Sequence, residues 1–184
     1  GDADALTKAL KWSGELDSES QIYDPADFIE TLGTLAALAD SKQLSSEAHA
    51  IYLLGTKILA KDKAPWSDCF FDWILAFAES LINTKKISEA ENLLNSLLSI
   101  QNDHQKTDVK HAHSLVYQAI VHGGLGRPQA RDETFKNALN VCEAATGSQS
   151  LAVADLIERY ARMLKGTRQS LLESANLEAR SKVI

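Results

Sequence analysis

The stretch Ile74–Leu97, ILAFAESLINTKKISEAENLLNSL, decides how this chain folds. Ile74, Phe77, Ala78 and Leu81 stand three and four apart, Asn83 to Lys86 is polar, and Ala90, Leu94 and Leu97 resume the spacing. That period puts one apolar stripe on each of two helices, and the short polar turn between them makes a helical hairpin. The pattern recurs along the chain. Stepping back 42 positions from Ile74, Ala78, Ala90 and Leu94 gives Leu32, Ala36, Ala48 and Tyr52. Stepping forward 41 gives Leu115, Ala119, Arg131 and Phe135, and a further 42 gives Ile157, Ala161, Glu173 and Leu177. Three of the four columns are apolar throughout, and one is alanine in every copy. A hairpin repeated every 41 to 42 residues predicts an all-α chain, an α-solenoid of antiparallel helical hairpins.

Four repeats are expected, at about 25–62, 63–105, 106–147 and 148–184, preceded by an N-terminal segment, 1–24. Within that segment, residues 2–16 carry Ala5, Leu6, Ala9 and Leu10 at helical spacing. They fall where the second helix of a preceding repeat would lie, so a half-repeat is expected there. Asp24-Pro25 starts a helix well, with Asp as N-cap and Pro at the first helical position. Paired helices are predicted over roughly 25–40 and 45–60, over 66–83 and the second half of the quoted stretch, over 107–124 and 128–145, and over 151–165 and 168–182. Thr146-Gly147-Ser148 closes the sixth of these paired helices, and Ser148 or Ser150 can cap the next. The last helix is charged, as a terminal cap requires.

At 184 residues with 45% hydrophobic content, the chain has enough apolar material for a substantial core. It has no Gly-Pro-Ser tract that reads as a linker, so one continuous array is expected. The net charge of −6 and pI near 5.4 make nucleic acid and anionic membranes poor default partners. No apolar run reaches the roughly 18 to 20 residues that span a bilayer, so no membrane insertion is expected. Cys69 and Cys142 lie on different helices with no Cys-x-x-Cys pair, which points to reduced thiols and a cytoplasmic compartment. Gly1 has no Met before it, so the numbering is expected to start inside a longer protein.

These columns resemble the tetratricopeptide repeat family. Its small residue in the first helix is matched by Ala36, Ala78, Ala119 and Ala161, and its small residue opening the second helix by Ala48 and Ala90. Its large residue in the second helix is matched by Tyr52, Leu94, Phe135 and Leu177. The turn glycine is matched only by Gly126. The period and the run GRPQARDETFKNALNVCEAATG resemble the longer, kinesin light chain type of repeat. Arg131 and Glu173 depart from the small column, and Gly55 and Arg180 depart from a column otherwise held by Leu97 and Ala138. The resemblance implies a right-handed superhelix whose first helices line a concave peptide-binding groove. Groove-facing positions would then be Glu30, Gly33, Ala37, Asp72, Leu75, Glu79, His113, Val116, Tyr117, Ile120, Asp155, Glu158, Arg159 and Arg162. Gly33, Ala37, Leu75 and Glu79 stand where relatives that clamp a C-terminal carboxylate carry Lys, Arg and Asn, so such a clamp is not expected. Acidic positions come early and Arg159, Arg162 and Lys165 late, a gradient that would orient a peptide of opposite charge order.

The expected function is therefore a non-enzymatic scaffold or adaptor that binds a peptide or partner protein in its groove, without cofactor or metal. Self-association through terminal repeats is a further expected contact. The alternative is a regulatory or substrate-docking domain of a larger enzyme or transporter. No phosphate loop, Gly-x-Ser-x-Gly elbow or His-Glu-x-x-His is present. His104, Asp108 and His111 stand at i, i+4 and i+7, a metal-ligand spacing read here as a solvated face. The aromatic group Trp66, Phe70, Phe71, Trp73 and Phe77 reads as core between repeats. His122, in a column with Ala39 and Leu81, reads as packed and hydrogen-bonded.

Overall fold

A computed structural model describes residues 25–61, 68–103 and 108–164. The expected half-repeat over 2–16, the final helix over 168–182, and Asp24, Trp66, His104 and Lys165 lie outside the described residues. Within them are seven helices and no strand: α1 Pro25–Ser41, α2 Ser45–Lys61, α3 Asp68–Asn83, α4 Ile87–Asp103, α5 Val109–Gly124, α6 Pro128–Thr146 and α7 Leu151–Leu164. Each expected helix in this range is present; α4 runs to Asp103, six residues past the quoted stretch, and the other described ends lie within two residues of their expected places.

The helix ends follow from their local chemistry. Asp108 caps α5 by accepting the amide of His111 at 3.0 Å. Pro128 opens α6, where the missing N–H is not needed. Ser150 Oγ accepts the Val153 amide at 3.3 Å at the start of α7, so Ser150 rather than Ser148 is the cap.

Three turns have the same backbone geometry. The amides of Leu44, Lys86 and Arg127 donate to the carbonyls of Ala39, Leu81 and His122, each at 2.9 Å. The residue before each donor has positive φ: Gln43 at 59°, Lys85 at 64° and Gly126 at 71°. This is the six-to-one bond of a Schellman closure, which satisfies carbonyls orphaned at the helix end. The left-handed position thus persists where the turn glycine is missing, and Gln43 and Lys85 occupy it at a steric cost that Gly126 avoids.

The chain divides into two compact units, Gly1–Lys86 and Ile87–Ile184, so the boundary falls at the end of a turn inside the Ile74–Leu97 stretch. In the first unit α1 packs on α2, α2 on α3, and α1 also touches α3. In the second, α4 packs on α5, α5 on α6, and α7 on both α5 and α6. Ala36, Ala78, Ala119 and Ala161 are each fully buried, as are Ala48 and Ala90.

Gly55 makes room for a large side chain from the next helix. The indole of Trp73 lies over it, with Cζ2 only 2.1 Å from where a Cβ would stand. The same ring lies 3.7 Å from a Cβ position on Gly33. Its Nε1 donates to the Tyr52 carbonyl at 3.3 Å and the Thr56 hydroxyl at 3.2 Å. Tyr52 stacks on Phe77 at 5.0 Å and meets Trp73 edge-on at 5.4 Å. Phe70, Phe71, Trp73 and Phe77 are all buried, as core. Tyr52 and Ser80 share the carboxylate of Asp40, the serine at 2.9 Å. Burial first, and Asp40 beside it, push the Tyr52 phenol far above its usual range, so it remains a donor.

The second unit's core gathers Leu115, Phe135, Cys142, Val153, Leu156, Ile157 and Tyr160, with Phe135 and Tyr160 stacked at 3.8 Å. Arg131, which breaks the small column, is accommodated because its Cδ lies 3.2 Å from where Gly123 would carry a Cβ. Its Nε donates to Asp132 at 2.8 Å.

Candidate functional site

In the first unit the expected site positions lie on α1 and α3. Asp72, Leu75 and Glu79 stand at i, i+3 and i+7, so one edge of α3 carries all three. Asp72 is exposed and Glu79 half-buried, whereas Leu75 is buried and has little apolar surface to offer a ligand. On α1, Glu30 and Ala37 are exposed and Gly33 is half-buried beside the Trp73 ring. Neither α1 nor α3 contains a Lys or Arg. Every formal charge on these two helices is negative.

In the second unit the positions lie on α5 and α7, and α7 packs against α5. Asp155 joins them. Its Oδ2 accepts from Arg159 Nε at 2.9 Å and lies 3.5 Å from His113 Nε2. The Tyr117 hydroxyl also bonds Arg159. Burial would lower the Arg159 pKa, but the Asp155 carboxylate and the Tyr117 hydroxyl outweigh it and raise the pKa, so the guanidinium stays charged. One turn on, Arg162 Nη2 donates to Glu158 Oε1 at 3.1 Å, with both side chains exposed.

This pairing changes the expected charge gradient. Arg159 and Arg162 each hold an acid four residues earlier on the same helix, so α7 does not present an excess of positive charge at these two positions. The apolar contacts expected from α5 also shrink. Val116 is 1% exposed and belongs to the core, and the Tyr117 ring is buried, which leaves Ile120 as the half-exposed apolar position. Val116 and Leu75 are interior because their column borders the apolar stripe, and packing widens the stripe to include them.

The histidines differ from their expected surroundings. His111 is buried rather than solvated, with Nδ1 3.2 Å from Gln101 Oε1 in the α4–α5 contact. Burial lowers its pKa, partly offset by Asp108. Asp108 is used as the helix cap. His122 is packed, as expected, but its Nδ1 lies buried without a hydrogen-bond partner. Among the described residues, no group of three or more His, Cys, Asp or Glu side chains is placed to hold a metal ion. No described helix is long and apolar enough to cross a membrane.

Thus α1 and α3 carry only acidic charges, and the structure brings His113, Tyr117, Asp155 and Arg159 together on α5 and α7. No protein-family model matches this chain, and no curated protein matches it in sequence.

Proposed function

We propose that this chain is a non-enzymatic protein-interaction module, a right-handed solenoid of hairpins of the tetratricopeptide type that binds a peptide along its first helices. The observation that carries the reading is the recurrence, at intervals of 42 and 41 residues, of one turn geometry beside one fully buried alanine column. A repeated hairpin with a preformed surface binds without ordering itself first, so less of the contact energy is lost on association. The acidic edge of Glu30, Asp72 and Glu79 selects a basic segment, through exposed charges whose attraction weakens with salt. The cluster of His113, Tyr117, Asp155 and Arg159 adds polar groups, with Arg159 held by Asp155 and His113 3.5 Å from the same carboxylate.

The test is selection of peptides from a display library on the purified chain, followed by calorimetry with the enriched sequences. Enrichment of basic peptides is expected, with Kd rising on added salt and on Asp72→Lys, and with a second change of affinity on Arg162→Glu. The melting temperature should move little in either variant, because exposed pairs such as Arg162–Glu158 contribute only about 0.3–0.5 kcal/mol. Enrichment of no sequence, or affinities indifferent to both substitutions, would refute the proposal.

A further inference from the structure

Phe70, Trp73, Phe77 and Ser80 stand along one face of α3, at i, i+3, i+7 and i+10, and 41 residues on the same face of α5 carries His111, Ser114, Gln118 and Val121. All eight are buried. The two faces meet their preceding helices by different chemistry. On α3 the contact is aromatic: Tyr52 stacks on Phe77 at 5.0 Å, the His49 ring meets Phe77 edge-on at 5.4 Å, and the Trp73 indole donates to Tyr52 and Thr56. On α5 the contact is polar. Gln118 Nε2 donates to Asn95 Oδ1 of α4 at 3.0 Å, and His111 Nδ1 lies 3.2 Å from Gln101 Oε1. Ser114 spends its hydroxyl proton on the Lys110 carbonyl of its own helix, at 3.0 Å.

The Gln118 amide is left half satisfied. The residue is 7% exposed, and its Oε1 is buried with no hydrogen-bond partner. Turning the amide over only changes which of its two atoms is orphaned. A buried carbonyl without a donor regains hydrogen bonds when water reaches it, so it favours the parted seam over the closed one. Asn95 is exposed and meets water in either state. At the turn end α4 stays fastened to α5: Ile87 Cδ1 stands 3.3 Å from where Gly124 would carry a Cβ, and Arg127 holds Glu91 at 2.6 Å. We propose that the α4–α5 seam is an opening point built into the second unit. Around Gln118 and His111, α4 parts from α5 and water enters at the Gln118 amide, while the apolar core of α5, α6 and α7 around Cys142 stays packed. The device goes beyond peptide capture and does not rest on it, because no ligand takes part.

The test is thiol labelling of the full chain with iodoacetamide under native conditions, in a Cys69→Ser background. Ser114→Cys puts a thiol of nearly the same size on the seam face, and Cys142, fully buried in the α5–α7 core, is the internal reference. Peptide mass spectrometry reads both sites, each rate being divided by its value in the urea-unfolded chain. The introduced thiol should react at least about tenfold faster than Cys142, the scale of a buried acceptor left without a donor. Gln118→Met keeps the side chain's length and removes the orphaned group. It should slow the introduced thiol by about the same factor and leave Cys142 unchanged, since Asn95 returns to water at little cost. Equal rates at the two thiols would overturn the proposal. So would a rate at the introduced thiol that Gln118→Met leaves unchanged or raises.

Discussion

Replacing Gly55 with alanine sets two physical effects against each other, and the structure decides which wins. An exposed helical Gly→Ala change normally stabilises by about 1 kcal/mol, since alanine loses less backbone freedom on folding. Here the new methyl would stand 2.1 Å from Cζ2 of Trp73 and 2.6 Å from two further ring carbons. Ordinary contact begins near 3.4 Å, so the indole must retreat by more than 1 Å. The ring also interlocks with Tyr52 and is held by two bonds through Nε1, at 3.2 and 3.3 Å. Overpacking of this kind costs about 1–3 kcal/mol, and a lost buried hydrogen bond about another 1 kcal/mol. After the helix-propensity gain, the net expectation is destabilisation by about 1–3 kcal/mol. The measurement is urea unfolding followed by far-ultraviolet circular dichroism, for Gly55→Ala, Trp73→Leu and the double variant. Because the clash needs both side chains, the double variant should lose less than the two single losses combined. A stabilised Gly55→Ala chain, or strictly additive losses, would refute the interlocked placement of Trp73.

Three further outcomes follow from other parts of the fold. Ala119→Leu should cost about 1–3 kcal/mol, because the alanine is fully buried in the α5–α7 core, and urea midpoints would show it; a neutral result would undermine the repeat register. Gln43→Gly and Lys85→Gly should each raise stability by up to about 1 kcal/mol by relieving left-handed strain, while Gly126→Ala should lower it by a similar amount. Thermal unfolding of all three variants tests this, and a destabilised Gln43→Gly would count against the turn geometry. His111→Phe, the residue type its column carries at Phe28 and Phe70, removes a histidine whose folded pKa is depressed by burial. Below about pH 6.5 the unfolded chain takes up the His111 proton first, so the wild type should lose stability more steeply toward pH 5 than the variant. Parallel pH slopes in chemical denaturation would exclude that contribution.

The helices were legible in the sequence because burial imposes its period on residue order. Apolar residues three and four apart name the inward stripe, and Ala36, Ala78, Ala119 and Ala161 all stand at full burial where that stripe places them. The turns were legible in position but not in conformation. Gln43 and Lys85 stand where the turn glycine is missing, yet helix-end hydrogen bonding holds both residues in the left-handed region. The candidate site was legible only as a roll of helix positions. Periodicity puts Val116 and Ile120 near the same edge of a helix, but it cannot say that the core extends to Val116 and stops short of Ile120.

By itself, then, the sequence determined the helices, their turns and the interior alanine column, since each depends on residues within a few positions or on a period that runs along the chain. Only the tertiary structure decided the contacts between residues far apart in sequence. It placed Trp73 over Gly55, gave Ser80 the Asp40 carboxylate and brought His113 within 3.5 Å of Asp155. Such contacts depend on how one helix crosses another, and the crossing is set by the combined shape of two faces that no single stretch of sequence contains.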